Sequence, residues 1–168
     1  MIRNKYYHYF VEGENEEKIV NILKTELQWI VPGKVQKFNV IEKLLTKNRL
    51  LTLNCGTIVI LVFDTDTGKS DILRQNIALL KKHKSVKDIY CITQVDNLED
   101  ELVRSCTIKE IKELTDSDSN SDFKRDMLKD TKLKNKLLKC NFDFEKFWNS
   151  VPPKKYEGIN NDAKKIKK

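Results

Sequence analysis

Apolar and polar positions along the first hundred residues fall into blocks whose period switches between two and about 3.6. YYHYFV (6–11) is aromatic and ends on a β-branched residue, and it predicts a first strand. Residues 15–30 place Ile19, Leu23, Leu27 and Ile30 on one side, with Val20 and Ile22 beside them, which predicts a helix. Asn15 is the expected N-cap, and Glu16 and Glu17 suit the positive end of the helix dipole. Pro32-Gly33 ends the segment. VQKFNVI (35–41) alternates as a second strand, and 42–53 reads as a short helix. TIVILVF (57–63) is an unbroken apolar run, as expected of a strand covered on both faces in a parallel sheet. Residues 70–82 predict a helix capped by Ser70, with Ile72, Leu73, Ile77 and Leu80 on its apolar side, and DIYCITQV (88–95) a fourth strand. Strands alternating with helices predict an α/β layer fold.

After Asp96 the pattern turns helical. Residues 98–114 and 123–139 predict helices around the polar loop TDSDSNSD (115–122), and FDFEKFWNSV (142–151) is an aromatic-rich piece expected to pack back on the body. The expected organisation is a core over 1–105, a helical extension over 106–152 packed on it, and a basic, flexible tail over 153–168. No internal repeat is present.

A chain of 168 residues suits one domain with a real core. No run approaches the roughly 18 apolar residues of a membrane span. The start, MIRNKYYHYF, has no apolar signal-type segment, so a cytoplasmic location is expected. Of the net charge of +7, the tail from Pro153 carries +4, from six lysines against two acids. Such a tail, through Lys164, Lys165, Lys167 and Lys168, is a candidate contact for nucleic-acid phosphates. The four cysteines form no CxxC pair and only two histidines accompany them, so a structural zinc site is poorly supported and reduced thiols are expected.

VFDTDTGKS (62–70) ends like a phosphate-binding loop, but that loop requires a glycine where this chain has Phe63. Two carboxylates inside the loop would also repel a triphosphate. Asp116, Asp118 and Asn120 are spaced like the first calcium ligands of a helix–loop–helix site, yet Ser121 and Met127 stand where glycine and glutamate belong. Asp64 and Asp66 have a different meaning. They follow the most apolar strand, where open α/β sheets build their sites, and alternation points them the same way. Carboxylates converging there repel one another unless a cation lies between them, and hard oxygens suit Mg²⁺. The first strand also ends in acids, in Glu12-Gly13-Glu14-Asn15-Glu16, where Gly13 is expected to allow a tight turn. If the first and third strands are neighbours, the two acid pairs meet.

YFVEGENEEKIV followed by IVILVFDTD resembles the Toprim domain of topoisomerases, primases and certain nucleases, over roughly residues 5–100. That family combines a strand ending in an EGxx[DE] turn with a later strand ending in DxD. The resemblance implies a Toprim-like, mainly parallel four-stranded sheet flanked by helices, here with a helical C-terminal extension, and a site for Mg²⁺ or Mn²⁺. It implies that Glu12 is general acid/base and metal ligand, and that Glu16, Asp64 and Asp66 are ligands. Nucleases of the overcoming-lysogenization-defect type use a further acid after the fourth strand, which makes Glu99 the candidate and Asp96 the second choice. Lys69 and Arg104 are candidates to stabilise phosphorane charge and contact nucleic acid.

The chain has no room for a DNA-gating domain with a tyrosine nucleophile, and no primase accessory modules. The activity implied is a compact metal-dependent nuclease acting on DNA or RNA, with a separate ATPase or regulatory protein as partner if it serves phage defence. A homodimer is compatible with this, and no membrane partner is implied. The competing class is a non-catalytic Toprim-like module that binds nucleic acid or a protein. A receiver-like regulatory domain also has an acidic pocket, but it needs a lysine after a late strand, and none follows DIYCITQV.

Overall fold

A computed structural model describes residues 5–168. Four strands form one all-parallel sheet: β1 (Tyr6–Val11), β2 (Lys34–Lys37), β3 (Thr57–Asp64) and β4 (Val86–Gln94). Their order is β2-β1-β3-β4. β1 and β3 are therefore neighbours, with Val11 paired to Val62, and the acids that follow each strand emerge side by side.

Alternation sorts the strand residues onto two cores, one per face of the sheet. Tyr9, Val11, Ile60 and Val62 face α1 (Glu14–Asn21) and its π-helical continuation Ile22–Glu26. The same core takes in the extension: α4 (Leu98–Ser105), α5 (Lys112–Thr115), α6 (Phe123–Lys129), α7 (Leu133–Lys139) and the aromatic segment with Phe142, Phe147 and Trp148. On the other face Phe10, Val59, Leu61 and Phe63 pack against α2 (Lys47–Leu51), α3 (Asp71–Lys82), Tyr156 and Ile159. This double cover explains why β3 carries no polar residue between Thr57 and Asp64. Asn76 is fully buried inside the second core. Its amide donates to the Val40 and Lys43 carbonyls at 2.9 and 2.8 Å and accepts from Leu45 N–H at 2.8 Å, so every polar atom is matched. Among the described residues no helix is long and apolar enough to cross a membrane.

Several sequence expectations need correction. Residues 153–168 are not a flexible tail: Tyr156, Ile159, Ala163 and Ile166 are buried, and the segment covers the outer edge of β4 through Asp162 N–H to Cys91 O at 2.7 Å. The helix expected over 123–139 is two helices. Lys18 Nζ breaks it by taking the carbonyls of Met127, Leu128 and Asp130, which would otherwise serve a continuous helix. β2 is shorter than expected because Asn39 turns the chain by accepting from Ile41 and Glu42 N–H, and α2 starts only at Lys47, where the Thr46 hydroxyl caps it by accepting from Arg49 N–H. The region 98–114 is broken between Ser105 and Lys112. Asn15 is not the N-cap of α1: the cap is Gly13, and Asn15 donates instead to Lys124 O at 3.0 Å, tying α1 to α6. Ser70 occupies the N-cap of α3 but makes no capping bond; its hydroxyl donates to Lys155 O.

Candidate functional site

Glu12 and Asp64 meet at the C-terminal rim of the sheet. The Asp64 N–H donates to Glu12 Oε2 at 3.2 Å, a direct contact between two segments 52 residues apart. Asn39 Nδ2 donates to Glu12 Oε1 at 3.1 Å, and Gln94 Nε2 to Asp64 Oδ1 at 2.6 Å. The strand tips of β1, β3 and β4 and the loop after β2 thus converge on two carboxylates, as the parallel topology dictates.

Glu16, on the first turn of α1, is buried. Its carboxylate folds back onto the helix start, and a Cβ at Gly13 would lie only 3.1 Å from Glu16 Oε2. Gly13 itself is extended, at φ −150°, so its role is to leave space for that carboxylate rather than to permit a special turn. Thr65 is buried and points into the β3–β4 seam, where its hydroxyl donates to Gln94 O and accepts from Asp96 N–H. This stitch fixes the loop that carries Asp66, whose own N–H donates to Asp96 O at 2.9 Å and whose side chain is exposed.

Glu99 lies on α4 and pairs with Lys124 Nζ of α6 at 3.1 Å. The charge of Lys124 also acts on Glu16 and Asp64, so the helical extension supplies the cation beside the acids. Lys124 was not legible as a site residue. A second link to the extension runs through Gln94, whose Oε1 accepts from the buried Trp148 indole at 3.2 Å while its amide holds Asp64.

Burial and mutual repulsion raise the proton affinity of these acids. Asp64 is pushed up to about 8, first by burial and then by the charge of Glu12, against the hydrogen bond from Gln94. Glu12 is raised by burial, opposed by the Asp64 N–H, and raised further by Glu16, Asp66 and Glu42. Glu16 is raised by burial, with Lys124 opposing and Glu99 adding. Among the described residues no cationic side chain forms an ion pair with Glu12 or Asp64. The donor set is hard oxygen throughout and rich in negative charge, which fits Mg²⁺ or Mn²⁺ rather than a soft metal. The carboxylates are turned toward amide donors: among the described residues no three His, Cys, Asp or Glu side chains converge on one point at metal-binding distance. Glu12, Glu16, Asp64, Asp66 and Glu99 are the residues that could hold an ion here.

The cations named from sequence lie in other settings. Lys69 is exposed on the loop after β3. Arg104 is committed to Glu101 at 3.1 Å, to Asp96 at 3.6 Å and to Val95 O. Glu101 is fully buried and also accepts from Val95 and Trp148 N–H, so the pair braces the rim from below. Lys167 is not a free phosphate contact: its Nζ donates to the carbonyls of Phe144 and Phe147 at 2.6 and 2.8 Å. Lys165 pairs with Asp162 at 2.9 Å and lies over the Tyr90 ring, while Lys164 and Lys168 are exposed. Phe63, in the place of the nucleotide-loop glycine, is fully buried and stacks with Tyr156. All four cysteines are free. In comparisons with known proteins, no family model, no curated protein and no solved structure matches the chain.

Proposed function

We propose that the chain is a Toprim-like, Mg²⁺- or Mn²⁺-dependent nuclease that hydrolyses phosphodiester bonds of DNA or RNA. The observation that carries this reading is the contact of Glu12 with Asp64 at one sheet rim, with Glu16, Asp66 and Glu99 in electrostatic reach. A divalent ion bound there supplies charge for the scissile phosphate and acidity for an attacking water. Glu12, Glu16, Asp64, Asp66 and Glu99 would hold such an ion. Glu12, whose carboxyl burial raises above its ordinary value, gives and takes the proton. Gln94 and Asn39 orient Asp64 and Glu12 from behind. Lys124 tempers the repulsion a polyanion meets at an acidic rim. Control by an ATPase, as a phage-defence effector needs, would come from a separate protein.

The test is cleavage of mixed DNA and RNA substrates with Mg²⁺ or Mn²⁺. Glu12→Gln and Asp64→Asn are expected to lower the rate by at least about 10²-fold, the usual contribution of a positioned acid/base. Cleavage unchanged in both variants refutes the site. Metal-independent nucleic-acid binding with no cleavage under either ion favours the non-catalytic module.

A further inference from the structure

The N-terminal rim of the sheet, opposite the acids, has a different character. In strand order it presents Lys34 at the start of β2, Lys5 and Tyr6 at β1, Gly56 before β3, and Lys84 and Lys87 at β4. These positions surround two adjoining hollows of about 290 and 570 Å³, which share Lys5 and Tyr6. Among the described residues no Asp or Glu lines either one. Among the described residues none of the four lysines makes an ion pair, so their charge is not cancelled within the rim. Tyr6, at 46% exposure, stands between the hollows with its ring open to solvent.

We propose that this rim is a binding surface for single-stranded nucleic acid. Four strands at the usual spacing spread its lysines over about 14 Å, a track for successive phosphates. Tyr6, midway along it, offers the flat face on which a base stacks, and such stacking tolerates any sequence. A concave surface with an aromatic centre suits a strand better than an acidic peptide, which gains nothing from the ring. The rim lies about 26 Å from the acids, the length of the eight residues of β3, so it is a second site and not part of the first. The inference goes beyond the nuclease reading and does not depend on it.

The experiment is anisotropy of labelled oligothymidylate, and of its RNA counterpart, with the whole chain in EDTA. Combined Lys5→Glu, Lys84→Glu and Lys87→Glu is expected to weaken binding at least about tenfold and to flatten the dependence of log K on log salt by about 2. Tyr6→Ala is expected to cost about fivefold or more. A charge-matched control on the extension, Lys129→Glu with Lys132→Glu and Lys139→Glu, should stay near wild type. Wild-type affinity in the rim variant, or an equal loss in the control, overturns the proposal. So does a normal Tyr6→Ala variant together with equal competition by polyglutamate, which would mark an acidic-peptide surface. If the glutamate combination fails to fold by circular dichroism, the same three positions changed to glutamine decide the matter. Asp64→Asn, expected to lose cleavage but keep this binding, separates failure of one site from failure of the other.

Discussion

The two ends of the sheet are built on opposite principles. At the C-terminal rim the central acids are withdrawn from solvent and held by protein donors: Asp64 by the Gln94 amide, Glu12 by the Asn39 amide and the buried Glu101 by the Arg104 guanidinium. At the N-terminal rim the charged groups are lysines that make no ion pair among the described residues. A parallel sheet gathers all strand ends of one sense at one edge, so charges far apart in the chain accumulate there, and what differs is how each rim settles them. The first rim settles its charge by hydrogen bonding and by raised proton affinity, which couples the site to stability. The second leaves its charge to solvent and ligand, which leaves it free of the fold.

That contrast predicts a large asymmetry on mutation. Arg104→Met strips the charge partner from the fully buried Glu101. It should lower unfolding free energy by about 3 kcal/mol, the low end for an uncompensated buried charge, because Val95 and Trp148 N–H still serve the carboxylate. Lys84→Gln or Lys87→Gln should each stay within about 0.5 kcal/mol. Urea denaturation of the three variants decides it, and equal losses at both rims would erase the contrast.

The rims should also differ in pH dependence. The carboxyl of folded Asp64 sits at about 8 against an ordinary 3.8. A raised acid binds its proton more tightly in the folded state. Its stabilisation is therefore full below the unfolded value and is lost as pH rises through the folded one. Metal-free protein should lose stability between about pH 4 and pH 8, by about 2 kcal/mol once the proton is shared among coupled acids. Asp64→Asn should flatten that slope, and so should Mg²⁺ at pH 8. Thermal melts in EDTA across this range measure it. A slope unchanged in Asp64→Asn would place the titration elsewhere.

The sequence was most legible where physics is local. The apolar run of β3, the aromatic and β-branched run of β1, and acids just past both strands announced an α/β core with an acidic rim, and β1–β3 adjacency then joined Glu12 to Asp64. Contributions from the extension were hidden, since Trp148 reaches Gln94 across 54 residues and Lys124 reaches Glu99 from another helix, with no periodicity to mark either. Gln94 had a signal that went unread: it ends its strand as Asp64 ends β3. The tail misled because its lysines drew attention from Tyr156, Ile159, Ala163 and Ile166, whose three-to-four-residue spacing carries the packing. The lysines of the N-terminal rim are scattered from residue 5 to residue 87, and only strand order assembles them.

The smallest predicted effect is the most diagnostic of wiring. Gln94 touches Asp64 on one side and the Trp148 indole on the other, and so stands between the candidate ligands and the extension. Gln94→Leu keeps the buried volume but removes the amide that orients Asp64. Metal affinity, read from the Mn²⁺ concentration dependence of the melting temperature, should fall about tenfold, as it does when an outer partner of a ligand is lost. Trp148→Phe removes the far hydrogen bond and some buried ring volume but leaves the amide on Asp64, and should cost less metal affinity. Lys5→Gln, at the other rim, should cost nothing. If all three variants hold Mn²⁺ like wild type, Asp64 does not depend on Gln94 for its role, and the extension packs beside the acids without tuning them.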